Sequence, residues 1–338
     1  MKNSPESRVD GRRRAMVGAA LASTVLPAAA QLAKPTSLII AGGSQGTGSY
    51  KVMVAIAQLL QKKIPGMTVT VQATSGSSEN ARLVGEGNAH FCLSSTELTH
   101  AALQGNKPFD KPLPIRALLS GHEAILAFVA REGSGINSIR DIKGKRVSPG
   151  AAGSGGALFF PLYARALGLE PGKDFSSPLM GYADAGQAMQ EGVIDAVFAV
   201  AKPVAPMLKE LAMSSKTKIK FINFEPAVFQ KAIGNQPFWT LVPIASESLP
   251  NQQKDVSGVL FPVPLIVNRS MDADLARLLT RTILENSDEL GKITFEGYDY
   301  NIKRWADGVN VPFHKGAVAY YTEKGVWAKR PASAVAGD

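Results

Sequence analysis

Apolar and polar positions follow one another along the chain in blocks that predict strands and helices in turn. An apolar run at residues 38–41 predicts a buried strand, and residues 67–71 alternate apolar and polar side chains as a half-exposed strand does. Between these strands, a predicted helix carries its apolar residues on one face, and Pro65 and Gly66 end it. Strands that alternate with helices predict a parallel sheet with crossover helices.

The same alternation begins again in the middle of the chain. Residues 125–130 and 195–200 predict strands, a helix begins at Asp184, and a long helix is predicted at 274–290. We therefore predict an α/β fold with two lobes and a hinge between them. The predicted divisions are lobe I at 31–125, lobe II at 126–239, and a return to lobe I with C-terminal helices at 240–338.

The first thirty residues have the pattern of a cleaved signal peptide. Three arginines at 12–14 precede an apolar stretch at 15–26, which is shorter than the roughly 20 residues of a membrane helix. Three alanines at 28–30 form an A-x-A cleavage signal, so Gln31 is the predicted first mature residue. The leader predicts export to the periplasm. Its paired arginines fit both the general secretory route and the twin-arginine route.

Charge and cysteine content narrow the class of protein further. The full chain has a formal charge of +9, and the leader contains five Lys or Arg and two Asp or Glu, which leaves +6. These charges are scattered and form no stripe with aromatic residues, so a nucleic-acid partner is not predicted. Cys92 is the only cysteine, which precludes an internal disulfide, and its apolar neighbours predict a small buried side chain.

Glycine-rich loops with hydroxyl side chains follow predicted strands at residues 42–50 and 150–156, and a related cluster lies at 74–80. Each loop leads into a predicted helix, whose N-terminus suits a carboxylate or a phosphate. A nucleotide is disfavoured, because the first loop lacks the lysine of a phosphate-binding P-loop and the glycine spacing of a dinucleotide site. Three such loops predict one small anionic or zwitterionic ligand between the two lobes.

The sequence offers little support for catalysis, for a metal or for a cofactor. The four histidines are widely spaced, and the segment Gly76-Ser77-Ser78-Glu79 does not continue into a Gly-x-Ser-x-Gly element. Asp184 and Glu191 lie seven residues apart on one predicted helix, where solvated charges are commoner than an acid pair. We therefore predict a binding protein that holds neither a metal nor a cofactor.

Four segments together resemble the TAXI family, the solute-binding subunits of tripartite ATP-independent periplasmic (TRAP) transporters. They are GTGSY at 46–50, ATSGSSEN at 73–80, DIKGKRV at 141–147 with GSG at 153–155, and PFHKGAVAYYTEKG at 312–325. The resemblance runs in order from about Ser37 to Trp327. It implies a type II periplasmic-binding-protein fold, with the ligand in the interlobe cleft. It also implies delivery of a glutamate-like or dicarboxylate solute to a TRAP membrane permease.

The resemblance also implies a set of ligand contacts from both lobes. Carried over by motif, they are Thr47, Ser49, Tyr50, Ser77, Asn80, Ser154 and Gly155. Ser75, Ser95, Asp184 and Lys202 complete the predicted ligand-binding set. The residues at 75, 156 and 202 depart from the family pattern, so the sequence leaves the ligand open. Lys202 either pairs with a second carboxylate or lies on the surface.

Three other functions share this fold or scaffold. The first is a solute-binding protein of an ABC transporter, and the second is a sensory receptor that reports ligand occupancy to a membrane kinase. The third is a periplasmic enzyme, which the residues support least. The sequence analysis therefore predicts a periplasmic receptor for a small organic anion or an amino acid.

Overall fold

The computed structural model describes residues 36–202, 204–247 and 252–337, and these form two α/β lobes. The predicted signal peptide at 1–30 lies outside the described residues. Each lobe is built on one β-sheet with helices packed against it, as the alternation of strands and helices predicts. Elements are numbered in chain order.

The sheet of the first lobe has five strands in the order β2-β1-β3-β11-β4. The strands are β1 (Thr36–Gly43), β2 (Met67–Ala73), β3 (Phe91–Leu93), β4 (Ile115–Leu119) and β11 (Leu265–Asn268). The first three strands are parallel, whereas β11 runs antiparallel to both of its neighbours. The carboxyl ends of β1 and β3 therefore lie at the same edge of this sheet, and the loops that follow them lie together.

Six helices accompany this sheet. They are α1 (Gly48–Lys63), α2 (Ser77–Gly85), α3 (Thr96–Gln104), α8 (Ala273–Leu284), α9 (Ser287–Ile293) and α10 (Lys315–Glu323). The apolar face predicted for α1 is buried, with Val52, Ile56, Leu59 and Leu60 all in the core. The single helix predicted at 274–290 is two helices, because the chain leaves helical geometry at Asn286, whose side-chain amide donates to the Thr282 carbonyl at 2.8 Å.

The second lobe has a mixed sheet of six strands in the order β6-β7-β5-β10-β9, with β8 paired to the far end of β5. The strands are β5 (Glu123–Arg131), β6 (Val147–Ser148), β7 (Ala196–Lys202), β8 (Ile219–Ile222), β9 (Thr240–Ile244) and β10 (Val256–Pro262). The helices are α4 (Gly155–Ala166), α5 (Tyr182–Gln190), α6 (Pro206–Met213) and α7 (Pro226–Ile233). Short 3-10 helices lie at Ile139–Ile142, Phe295–Asp299 and Trp327–Lys329.

The chain crosses between the two sheets at different positions from the predicted lobe boundaries. The first crossing lies between β4 and β5, at 120–122 instead of 125–126. The second lies between β10 and β11, at 263–264, whereas the sequence analysis places the return at 240. The difference arises because β9 and β10 pair antiparallel with each other, and β10 pairs with β5. Sequence periodicity does not reveal these long-range pairings.

The two crossing segments lie side by side. The Val263 N–H donates to the His122 carbonyl at 3.1 Å, and a Cβ added to Gly121 would lie only 2.0 Å from the Val263 carbonyl oxygen. Gly121 is therefore required by a close backbone approach. This paired connection is the natural position for a hinge.

Across residues 36–337, outside the gaps at 203 and 248–251, no helix has both the length and the apolar character that crossing a membrane requires.

Candidate ligand-binding site

A cavity of about 90 Å³ lies between the lobes, at the ends of the strands where the glycine-rich loops are found. Residues at the beginning of four helices line it: Gly48 and Ser49 of α1, Ser77 of α2, Gly155 and Gly156 of α4, and Tyr182 of α5. The first backbone N–H groups of a helix have no acceptor within that helix. Each N-terminus also carries roughly half a unit of positive charge. The cavity is therefore electropositive.

The first loop places Ser49 at the cavity by fixing the start of α1. The Thr47 hydroxyl accepts a hydrogen bond from the Tyr50 N–H at 3.2 Å and donates to the Ser44 carbonyl at 2.7 Å. Thr47 is thus the N-cap of α1, and its hydroxyl is already used by the loop. Ser49, half-buried in the first turn, lines the cavity.

The second loop begins α2 without a side-chain cap, because Gly76 occupies the N-cap position with φ of 140°. Ser75 donates both its N–H and its hydroxyl to the Glu79 carboxylate, each at 2.7 Å. Asn80 is buried, and its amide donates to the Leu93 carbonyl at 2.8 Å while its oxygen accepts from the Thr74 hydroxyl. These bonds hold the loop rigidly against the first sheet.

The third loop brings the second lobe to the cavity. The Ser154 hydroxyl accepts from the Ala157 N–H at 3.2 Å and caps α4. A Cβ on Gly156 would lie 2.5 Å from the Pro149 carbonyl oxygen, and one on Gly155 would lie 2.7 Å from Oε1 of Glu97 in the first lobe. These two glycines allow the helix N-terminus to approach both its own strand and the opposite lobe.

His122, which lies on the first crossing segment, also lines the cavity. Its Nε2 is 3.1 Å from the Ser49 hydroxyl, and its Nδ1 is 3.0 Å from the Tyr300 hydroxyl. Burial lowers the pKa of His122 to about 4, so the imidazole is neutral at neutral pH. The His122 ring, on the crossing segment, therefore connects Ser49 to Tyr300 by hydrogen bonds. It adds no charge to the cavity.

The cavity contains no fixed ionic group on the part of the chain that the structure describes: no Lys, Arg, Asp or Glu side chain lines it. Part of the lining is apolar instead. The apolar side chains in it are Leu93, Ala124, Leu126, Val200, Phe261 and Val263. The positive potential in the cavity thus comes from backbone dipoles, and the apolar side chains favour hydrocarbon.

Most of the predicted ligand-binding residues meet at this cavity. Those that line it are Thr47, Ser49, Ser75, Ser77, Asn80, Ser154 and Gly155. Their contact with a ligand stays a prediction. The sequence reasoning did not include His122 or Tyr182, although a polar residue between the apolar runs at 115–119 and 124–130 is a signal of a strand end.

Tyr50 and Ser95 lie next to the cavity without lining it. The Tyr50 ring packs over Gly42, where an added Cβ would meet the ring at 2.8 Å. Ser95 is buried: its N–H donates to the Ser77 hydroxyl at 3.1 Å, and its own hydroxyl donates to Glu97 at 2.6 Å. Both residues support the loops from behind.

Asp184 and Lys202 lie elsewhere. Asp184 is exposed and follows Tyr182 by two positions, which turns its side chain about 200° around the helix axis. The β5–β7 pairing contains a register shift, in which Leu126 pairs with Val200 and Ile125 pairs with Lys202. Such a bulge turns the following side chain to another face. Lys202 accordingly lines a separate cavity of about 480 Å³, together with Glu123, Glu296 and Asp299.

The described residues contain no cluster of three or more His, Cys, Asp or Glu side chains able to hold a metal ion. Cys92 is a buried free thiol, and burial raises its pKa well above the ordinary value. The thiol is therefore protonated and packed in the core.

Two α/β lobes enclosing a small cleft at the ends of their strands are the architecture of the periplasmic binding proteins. The chain belongs to the NMT1-like family, which matches residues 40–325.

Solved structures share this architecture at low sequence identity. One described as a periplasmic transporter is 10% identical, covers 77% of this chain and 87% of its own, and has a TM-score of 0.53. A putative L-cystine ABC transporter from Listeria monocytogenes is 15% identical over 80% of this chain and 100% of its own, with a TM-score of 0.49. The periplasmic aliphatic sulphonate binding protein SsuA from Escherichia coli is 16% identical over 86% and 84%, with a TM-score of 0.46. At 10% identity, the likeness to the first of these structures establishes the fold alone.

Proposed function

We propose that this protein is an extracytoplasmic solute receptor. It captures a small organic anion or an amino acid between its lobes and delivers it to a membrane transporter. One observation carries the proposal: the N-termini of four helices, two from each lobe, line a single cavity. N–H groups at these positions bind carboxylates, because they lack acceptors within their helices and because the helix dipole favours negative charge.

The geometry also supports capture by closure of the lobes. The α2 loop of the first lobe and the α4 loop of the second lobe are joined by a hydrogen bond from the Ser78 N–H to the Gly153 carbonyl at 3.1 Å. A ligand enters when these loops separate about the crossing segments, and it is enclosed when they meet. Enclosure excludes water and strengthens each hydrogen bond to the ligand. The function is binding and release, without chemical conversion.

The proposal is tested by identifying what the protein carries. Native mass spectrometry of the protein purified from its own periplasm should show a bound small acid or amino acid. That compound should raise the unfolding free energy by about 2.7 kcal/mol at 100 times its dissociation constant. Ser49→Ala should weaken binding, whereas Ser270→Ala, which removes an exposed hydroxyl bonded to Asn268, should not. The proposal fails if nothing co-purifies and no compound in a broad panel of acids and amino acids stabilises the protein.

The type of transporter is a second question. The first candidate is an ABC importer, the system to which the putative L-cystine transporter from Listeria monocytogenes is assigned. A TRAP permease is the second, and it rests on the TAXI-like sequence motifs alone. Uptake of the identified solute into right-side-out vesicles separates them. Uptake that requires ATP hydrolysis assigns the ABC importer, and uptake that an ion gradient drives without ATP assigns the TRAP permease.

A further inference from the structure

We infer that the solute is a short aliphatic acid with a single negative charge, and that it carries neither an ammonium group nor a second carboxylate. This inference rests on the proposed function, because it names the solute class of the same cavity. It differs from the glutamate-like or dicarboxylate ligand that the sequence motifs imply.

The negative head has a defined place at the helix N-termini. Gly48, Gly155 and Gly156 bring backbone N–H groups to the cavity without a side chain to obstruct them, and the hydroxyls of Ser49 and Ser77 lie beside them. Several donors from both lobes therefore line the cavity. A carboxylate accepts several such bonds at once.

An α-ammonium group has no carboxylate partner among the described residues that line the cavity. Burying an ammonium ion without an acidic partner is costly, and the described lining residues include no Asp or Glu. Glu79 is close in sequence, but its Oε2 already accepts two hydrogen bonds from Ser75. Glu97 lies behind Gly155 and lines a different cavity, and Asp184 is exposed. An amino acid would therefore lose the hydration of its ammonium group without compensation.

A second carboxylate meets the same difficulty. Lys202, the cation that the sequence offered for it, lies in the other cavity beside Glu123, Glu296 and Asp299. The described lining of the ligand cavity includes the apolar side chains of Leu126, Val200 and Phe261 and no cationic side chain. These side chains favour a hydrocarbon tail and disfavour a hydrated charge.

The size of the cavity limits the tail. The cavity volume of about 90 Å³ is smaller than the roughly 150 Å³ of an engineered protein cavity that holds benzene. The cavity therefore suits an acid with only a few carbon atoms. Longer acids require the lobes to remain further apart.

Four small compounds of similar length test the inference: butyrate, 2-aminobutyrate, succinate and butyramide. Isothermal titration of each into the purified full chain, cleared of co-purified ligand by partial unfolding and refolding, should show binding of butyrate. The other three should bind at least about tenfold more weakly, because each lacks the single head charge or adds an unpaired one. Propane-1-sulfonate, tested in parallel, shows whether a tetrahedral head is also accepted, which the inferred class allows. Lys202→Ala should leave the butyrate affinity unchanged.

Succinate or 2-aminobutyrate binding as tightly as butyrate would overturn the inference while leaving the receptor function intact. Succinate binding that Lys202→Ala abolishes would restore the dicarboxylate interpretation. If none of the compounds binds, the inferred solute class is wrong, and the co-purification experiment above judges the receptor function separately.

Discussion

The N–H group of Ser78 in the first lobe donates a hydrogen bond of 3.1 Å to the carbonyl of Gly153 in the second. A Cβ added to Gly153 would lie only 2.0 Å from the Ser78 hydroxyl oxygen, and the Gly153 φ is +76°. The positive φ favours glycine at 153, and a methyl group there would also force the Ser78 hydroxyl to move, with the Ser78 Cβ only 3.2 Å away. This contact joins the lobes beside the ligand cavity.

Gly153→Ala should therefore impair closure more than folding. We expect the ligand affinity to fall by about tenfold or more, since the added methyl group prevents the loops from meeting. The strain at positive φ should cost about 1 kcal/mol of unfolding free energy. Titration of the co-purified solute and small-angle scattering with and without it measure the two effects.

Gly168→Ala is the matched control. Gly168 has φ of +84°, and a Cβ there would meet no atom within 4 Å. This variant should lose similar stability but keep its affinity and its compaction on binding. Equal losses of affinity in both variants would show that the Ser78–Gly153 contact does not govern closure.

The hydrogen-bonded series Tyr300–His122–Ser49 yields a second prediction. For the Ser49 hydroxyl to donate to an anion, it must accept from the His122 Nε2–H, and Nδ1 must then accept from the Tyr300 hydroxyl. Tyr300→Phe removes the group that fixes this tautomer. We expect the affinity for the solute to fall about five- to tenfold, the usual effect of losing one buried hydrogen bond.

Tyr321→Phe provides the comparison for Tyr300→Phe. The Tyr321 hydroxyl is also buried, and it donates to the Leu118 carbonyl at 2.7 Å, away from the cavity. Both variants should lose stability, whereas only Tyr300→Phe should lose affinity. An unchanged affinity in Tyr300→Phe would mean that Ser49 does not depend on this orientation of the ring.

We expect the stability of the folded protein to depend on pH because of the Glu97 carboxyl group. The carboxyl is buried beside the α4 N-terminus, its Oε1 accepts from Ser95, and its Oε2 has no hydrogen-bond partner among the described residues. Burial raises its pKa to about 7. Protonated Glu97 is thus favoured in the folded state, so its contribution to stability is complete below about pH 4.5 and is lost as the pH rises through 7.

Glu97→Gln, which cannot ionise, should therefore be more stable than the native protein at pH 8, by up to about 3 kcal/mol. The difference should shrink towards pH 4.5. Glu289→Gln should act in the opposite direction, because the ammonium groups of Lys62 and Lys63 lower the pKa of Glu289 to about 2. Urea denaturation at several pH values measures both. A Glu97→Gln difference that does not vary with pH contradicts the prediction.

Local patterns predicted much of this fold. The buried face of α1 follows from the spacing of Val52, Ile56, Leu59 and Leu60, which the helical period alone determines. The first two glycine-rich loops lie together because β1 and β2 are parallel and end at the same edge of one sheet, and the third follows β6 of the other lobe. These inferences needed only neighbouring residues and general rules of topology.

Local patterns could not predict the pairings between strands that are distant in the sequence. The antiparallel pairing of β10 with β5 moved the return crossing to 263–264, and the bulge between the Leu126 and Ile125 pairs turned Lys202 away from the ligand cavity. His122 reaches Ser49 across 73 positions of the chain. A local sequence pattern cannot predict these contacts, because each depends on how strands that are distant in the sequence align.

The described residues that line the cavity include no fixed ionic group. This affects which dissolved anions compete with the solute for the cavity. The helix N-termini favour any small anion, whether mineral or organic. An organic acid also places hydrocarbon against Leu126 and Phe261, whereas a mineral ion loses hydration there, so the apolar lining favours the organic acid over dissolved mineral anions.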